Sequence, residues 1–282
     1  MNIETIRAFL EVASTGSFLQ AAENLNITQS AMSARIKNLE DHLNRQLFAR
    51  KRTGAALTNG GLAFHKHALT VVQAWELAKQ ESALSKGVDA MVGIGVQLNH
   101  WQTTAAPWLQ WMKEKAPHIA TQVHSDYSDR LMTMLRNGLI NAAVLYEPQR
   151  NPDLVIEEYV REKLILACTY PRKAQPTPVP GYVYVDWGHR FRSEHSRRFP
   201  DNPTHQITVG LSAVALRHIL EHGGSGYFLE SEVAELIEQG RLYRVDDAPA
   251  FNLTTYLAHY TSAQESDAVK AALKGLQAVR QP

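Results

Sequence analysis

At about residue 88 the apolar pattern changes period, and this constrains the fold more than any other feature of the chain. Before that point, apolar residues recur at helical spacing: Ile3, Ile6, Phe9, Leu10 and Ala13, then Phe18, Ala21, Ala22 and Leu25, then Ala31, Met32, Ile36, Leu39 and Leu43. After it, short apolar runs such as Met91 to Val96 and Ala142 to Tyr146 alternate with helical segments. That alternation is the pattern of a parallel sheet with helices on its faces. One core cannot satisfy both patterns, so the 282 residues read as two folding units: an α/β fold with an all-α N-terminal part.

The N-terminal stretch carries clear boundary signals. Gly16 breaks the first helix and Ser17 caps a second, Phe18 to Leu25. Asn26-Ile27 is a tight turn, and Thr28 caps a third helix that runs to about Leu43, where Asn44 suits a left-handed stop. The third helix carries Gln29, Ser30, Ser33, Arg35, Lys37 and Asn38 on its outer side. Leu47-Phe48 and Leu57-Thr58 flank a glycine-containing turn, which predicts a small hairpin, a wing. Thr58 or Asn59 then starts a long helix to about Lys86. In it Phe64, Ala68, Val71, Trp75 and Ala78 alternate at spacings of four and three, beside a second line of Leu62, Leu69 and Val72. Such a helix packs against a second copy or lies on its own unit.

Two short helices joined by a tight turn, the second polar outside, form a helix-turn-helix. A helix fits the DNA major groove, and amide, hydroxyl and guanidinium groups match base-edge donors and acceptors. The charge distribution is compatible. Residues 1–86 hold ten basic and seven acidic side chains, and Arg45, Arg50, Lys51 and Arg52 crowd into eight positions, although the whole chain is only +1. Such a cluster marks a nucleic-acid footprint or a solvated loop.

The stretch from Phe9 to Gly61 resembles the LysR-type transcriptional regulators. The resemblance rests on Phe9, Gly16-Ser17-Phe18, Ala21-Ala22, Leu25, Gln29-Ser30-Ala31, Ser33, Ile36, Leu39-Glu40, Leu43, Leu47-Phe48, Arg50 and Leu57-Thr58. Tyr184-Val185-Asp186-Trp187-Gly188 is similar to regulators of the kind that repress the flagellar operon in enteric bacteria. The resemblance implies a winged helix-turn-helix DNA-binding domain over 1–58, a linker and dimerisation helix over 59–88, and an effector-binding domain over 89–282. That last domain would be similar to periplasmic binding proteins. One lobe would span about 89–160 and 262–282, the other about 161–261. DNA contacts then fall on Thr28, Gln29, Ser30, Ser33, Arg35, Lys37, Arg50 and Arg52. The family often places a basic residue directly after the serine. Here Ala34 stands there and Arg35 follows, about 100° further round the helix.

The resemblance also implies partners. These are double-stranded promoter DNA with an inverted repeat, a small-molecule effector, and further copies of the chain as a homodimer or homotetramer; RNA polymerase stays open as a further partner. No cofactor is implied. Effector contacts are expected at strand C-termini and the turns after them: Gln97, Asn99, Trp101, Gln102, Ser128 and Tyr146 from one lobe, Thr208 and Tyr227 from the other. The cation-rich segment His189 to Arg198 reads as a carboxylate site or, more simply, a solvated helix.

Other readings are weaker. His218-Ile219-Leu220-Glu221-His222 fits an H-x-x-E-H zinc-hydrolase pattern, but no third ligand is evident. His65 and His67 are two apart and diverge on a helix, and Gly224-Ser225-Gly226 lacks nucleophile-elbow spacing. A pure ligand-binding protein would not need the N-terminal module. The N-terminus lacks a basic region followed by an apolar block, no apolar run reaches membrane-spanning length, and Cys168 is the single cysteine. Together these predict a chain of the reducing cytoplasm.

Overall fold

The computed structural model describes residues 2–51, 54–174, 181–200, 206–262 and 266–280. The chain divides into two compact units, Met1–Leu84 and Ser85–Pro282. Each is described by itself.

The first unit contains α1 (Ile3–Thr15), α2 (Phe18–Asn24), α3 (Gln29–Leu43), the hairpin β1 (Phe48–Lys51) and β2 (Gly54–Leu57), and α4 (Asn59–Ser82). Local chemistry sets its boundaries. The Asn2 side chain accepts from the Thr5 amide, and Gly16 at φ +64° ends α1. Ser17 caps α2, Thr28 caps α3 through the Ala31 amide, and Asn44 at φ +49° closes α3. Phe9, Met32, Ile36, Leu39 and Leu47 fill the core, with Phe9 ringed by Phe48 and Phe64 at centroid distances of 5.2 and 5.0 Å. Two contacts hold the wing on the helices. The Ala55 amide donates to the Gly16 carbonyl at 2.7 Å, and a Cβ on Gly54 would sit 2.3 Å from that oxygen, so only glycine fits. The Glu40 carboxylate accepts from the amides of Leu47 (2.7 Å) and Phe48 (3.0 Å).

The apolar line of α4 is divided. Phe64, Ala68 and Val72 pack on the core of their own unit, whereas Leu62, Val71 and Trp75 are exposed. The single seam expected over Phe64 to Ala78 is therefore two faces. One face, with Phe64, Ala68 and Val72, lies on the core, and the other presents Leu62, Val71 and Trp75 outward.

The second unit is built on one seven-stranded mixed sheet. Parallel β3 (Ala90–Gln97) lies between β4 (Ile119–Asp126) and β5 (Ala142–Leu145). Beyond β5, β11 (Phe251–Tyr260) and β6 (Leu154–Cys168) continue the sheet antiparallel, and β9 (Ser225–Leu229) and β10 (Tyr243–Arg244) pair with the C-terminal end of β6. β7 (Val183–Val185) pairs with β8 (Ile207–Val209) and is bridged to β9 through Tyr182 and Ser225. The helices are α5 (Ala106–Lys115), α6 (Ser128–Arg136), α7 (His189–Arg198), α8 (Ser212–His222), α9 (Glu230–Glu238) and α10 (Asp267–Ala278).

Two halves result. In one, α5 and α10 cover a core of Val92, Ile94, Trp108 and Leu276, and α6 covers the opposite face. The last helix is tied there by Trp108 Nε1 donating to the Ala272 carbonyl and Tyr159 Oη donating to that of Leu276. The other half surrounds Trp187, Ile219, Tyr227 and Phe228. Strands β6 and β11 belong to both.

This corrects two expectations. The sheet is mixed, not parallel, and Leu154 to Tyr159 and Lys163 to Thr169 are parts of one fifteen-residue strand. The polar pair Arg161-Glu162 resembles a break, but its backbone pairs continuously with Thr254 and Leu253 of β11. Ladder pairing outweighs local polarity.

Glu40→Ala should destabilise the N-terminal unit by about 1–3 kcal/mol, because two amide donors lose a charged acceptor. Urea unfolding followed by far-ultraviolet circular dichroism reads the change. A stability equal to the parent chain's would show that the wing is held by packing alone.

Candidate functional site

On the first unit, α3 presents an exposed N-terminal turn. Thr28, Gln29 and Ser30 are exposed, as is Lys37, while Ser33 and Arg35 are half-buried. Thr28 Oγ1 caps the helix and lies 3.0 Å from Ser30 Oγ, so both hydroxyls are held at the helix start, where amide dipoles favour anions. Positions 29, 33 and 37 follow one ridge. Between that ridge and the wing runs a groove of about 780 Å³, lined by Ser33, Ala34, Lys37, Asp41, Arg45 and Ala49 among others. Arg45 adds a cation to this groove that the motif did not single out. Arg50 lies on β1, paired with Ala55 of β2, and Arg52 lies outside the described residues.

The second unit brings most of the other expected residues to the junction between its halves, but in unequal roles. Asn99 spans it: its Nδ2 donates to the Gly210 carbonyl at 3.2 Å, and its Oδ1 accepts from the Ser212 amide at 2.9 Å. Ser128 is buried and fully engaged. It donates to Gln97 Oε1 and accepts from the amides of Tyr146 and Glu147. Trp101 is exposed on a π-type turn, and Gln102 lines a groove of about 370 Å³ with Leu216, Arg217, Glu232 and Arg241. Thr208 is exposed on β8.

Tyr227 departs from expectation. It is 1% exposed, packs against Phe191 and Phe251, and donates its hydroxyl to the Pro249 carbonyl, so it is a core residue of its half. The glycine-rich turn before it misleads, because Tyr227 lies on β9, all five residues of which are buried.

The junction also holds Glu162 and Glu232, which the motif analysis missed, and His100 and Glu147, which lie in the turns expected at the site. The ring of His100 meets that of Tyr146 edge-on at 5.4 Å, and His100 Nε2 lies 3.7 Å from Glu162 Oε2, beyond hydrogen-bond reach. His100 Nε2, Tyr146 Oη, Glu162 Oε2 and Glu232 Oε2 are all buried without a hydrogen-bond partner. Burial lowers His100 to about 4, so it is neutral at pH 7 and forms no ion pair with Glu162. Burial, and then the charge of Glu232, pushes Glu162 up to about 7. Burial also raises Glu232, and it raises the Tyr146 phenol well above its ordinary range with help from both carboxylates. Glu147 accepts from the Arg190 amide at 2.8 Å and so occupies the N-terminus of α7.

Two of the four arginines of His189 to Arg198 are engaged within their own half: Arg192 pairs with Asp186, and Arg190 with Glu194. His218 and His222 share a helix face with ring centroids 4.8 Å apart, but Glu221 is paired to Arg217. Among the described residues no group of three or more His, Cys, Asp or Glu is arranged to hold a metal ion. Among the same residues no helix is long and apolar enough to cross a membrane.

The raised Glu162 carboxyl has a pH signature. A carboxyl raised on folding stabilises below its unfolded value and loses that contribution as pH rises through the folded value. Glu162→Gln should therefore match the parent chain near pH 4.5 and become progressively more stable than it between about 4.5 and 7. Thermal melts across that range test this, and a pH-independent difference would refute the assignment.

Comparison with known proteins bears on both units. The family described as bacterial regulatory helix-turn-helix protein, lysR family, matches residues 3–62, and the LysR substrate binding domain matches residues 88–281. The HTH-type transcriptional regulator HdfR of Yersinia enterocolitica is 28% identical over 254 residues, covering 84% of this chain and 85% of that protein. Two solved structures share the fold. CbnR, a LysR family transcriptional regulator, has a TM-score of 0.74 at 17% identity, with complete coverage of both chains. DarR of Vibrio fischeri, solved in complex with DNA, has a TM-score of 0.60 at 20% identity, covering 98% of each chain. With a helix-turn-helix at one end, a two-part sheet domain at the other, and family matches over both, this chain belongs to the LysR-type transcriptional regulators.

Proposed function

We propose that this regulator reads promoter DNA through the exposed N-terminal turn of α3, and that a small molecule held between the halves of the second unit controls it. The exposed Gln29-Ser30 turn with Ser33 and Lys37 behind it supports the first part. A helix N-terminus bearing amide and hydroxyl groups suits both base edges and phosphate. Lys37 and Arg45 line the groove toward the wing and supply backbone contacts. Arg35, half-buried, serves a flanking phosphate or the fold itself.

The second part rests on the junction. Asn99, Glu147 and Tyr127 of one half reach the other, Tyr127 coming so close to Gly210 that a Cβ there would lie 2.2 Å from its hydroxyl. A ligand that prefers one arrangement of the halves over another shifts their population by its difference in affinity. The segments expected to act as separate modules are a DNA-binding part over 1–58, a linker helix over 59–88 and an effector part over 89–282. The exposed apolar residues Leu62, Val71 and Trp75 of α4 support assembly into dimers and tetramers. Two-fold pairing would match an inverted repeat in the operator, possession of which fits a chain that works in the cytoplasm on promoters also bound by RNA polymerase.

Genomic fragments captured by the purified protein, followed by footprinting, test this reading. A protected inverted repeat that is lost at higher salt is the expected result, and no enrichment of any sequence would sink it. Ser33→Arg or Gln29→Ala should weaken specific binding by about 1–3 kcal/mol, roughly ten- to a hundredfold, with the melting temperature unchanged. Lys37→Ala should weaken specific and non-specific DNA alike and reduce the salt slope by about one. A Ser33→Arg footprint identical to that of the parent chain would remove α3 from base recognition.

A further inference from the structure

The polar groups at the junction divide into two sets. At the rim every described contact between the halves is satisfied: Asn99 bonds Gly210 and Ser212, and Glu147 bonds Arg190. At the centre His100 Nε2, Tyr146 Oη, Glu162 Oε2 and Glu232 Oε2 have no hydrogen-bond partner. These side chains come from different elements: His100 from the turn after β3, Tyr146 from the end of β5, Glu162 from β6 and Glu232 from α9. His100 is 2% and Tyr146 6% exposed. Buried polar atoms left unpaired cost stability, so a converging set of four marks a place where something else is to be bound.

Two carboxyl groups dominate the set. His100 Nδ1 lies 3.3 Å from Thr103 Oγ1, and the tautomer sets whether Nε2 accepts or donates. The protonated phenol donates one hydrogen bond and can accept as well. At the buried centre an anion meets, among the described residues, two carboxyl groups and no cation, for Ser128 already serves Gln97, Tyr146 and Glu147, and the α7 N-terminus is filled by Glu147. A metal ion does not fit the spacing, for no such group of ligands exists among the described residues. Glu232 also lines a groove of about 370 Å³ with Gln102, Arg217 and Arg241, so the groove itself carries both signs of charge.

We propose that the effector of this chain carries a cationic nitrogen group, an ammonium or guanidinium, that donates to Glu162 and Glu232 at the junction. The proposal rests on the interhalf effector site of the preceding subsection and adds its charge class. Tyr146 and His100 form the remaining wall, and Asn99 holds the halves closed over the bound group. Charged hydrogen bonds in a dry setting are strong, and a ligand that carries its own donors removes the cost of the unpaired acceptors.

The test uses the full chain and four probes of similar size: n-butylammonium, n-butylguanidinium, butyramide and butyrate. Thermal shift and calorimetry are run on the parent chain, on Glu162→Gln, on Glu232→Gln, on Asn99→Ala and on Glu157→Gln as an exposed control. One or both cations should bind, with affinity reduced roughly tenfold or more by either buried substitution and unchanged by the control. Glu162→Gln without a probe should melt higher than the parent chain near neutral pH, so lost binding cannot be taken for lost folding. Butyrate or butyramide binding in preference to the cations, and weakened by Asn99→Ala, would overturn the charge class and leave the interhalf site standing. Cation binding indifferent to both glutamates would overturn the proposal. Binding of no probe would overturn the charge class, whereas the interhalf site falls only if Asn99→Ala leaves operator binding and its response to cell metabolites unchanged.

Discussion

The antiparallel pairing of β6 with β11 is the constraint on which the second unit depends. The two strands run side by side from Leu154 against Tyr260 to Leu164 against Phe251. At one end they complete the sheet of β3, β4 and β5; at the other, β6 carries β9 and β10. Each half has its own apolar core, so the halves are joined by a two-stranded ribbon and not by a continuous interior. A register shift between Thr255 and Tyr256 interrupts this ribbon near its middle. An irregularity of this kind bends a strand locally, which suits a connection between two bodies.

That arrangement explains why polar groups gather where they do. Glu162 is on the ribbon at its crossing from one core to the next, and residues from both halves close over it. At the rim, geometry lets donors and acceptors meet, as in the double contact of Asn99 with Gly210 and Ser212. At the centre the side chains arrive from four directions and their polar atoms stay apart, as the 3.7 Å between His100 and Glu162 shows. The closed junction is thus held by its edge while its middle is unsatisfied. A junction of this kind responds strongly to whatever completes the middle, because the low dielectric there amplifies each interaction made or missed.

The N-terminal unit follows a similar economy with different chemistry. Helix α3 is positioned by groups outside its exposed N-terminal turn. The Glu40 carboxylate fixes β1 against the end of α3, the Gly16 carbonyl receives Ala55 from β2, and Gly54 allows that approach. The exposed Gln29-Ser30 turn is left unencumbered because the Thr28 hydroxyl supplies the cap. The placement of helix and wing is therefore decided by capping and backbone hydrogen bonds.

Local signals accounted for much of this without tertiary information. Asn44 and Gly16 mark helix ends because left-handed backbone is cheap for those residues, and Ser17 and Thr28 mark starts because their hydroxyls accept the first free amides. Periodicity distinguished the helical unit from the sheet unit, and the polar face of α3 pointed to DNA. Tertiary structure alone decided the rest. Arg161-Glu162 lies inside a strand because β11 supplies a partner for its backbone, a contact about ninety residues away that no local pattern encodes. The same separation hides the junction cluster: residues 100, 146, 162 and 232 have no spacing in common, and only the fold brings them together. Tyr227 is buried and Leu62 exposed for the same reason, since which side of an element meets a core depends on its neighbours in space.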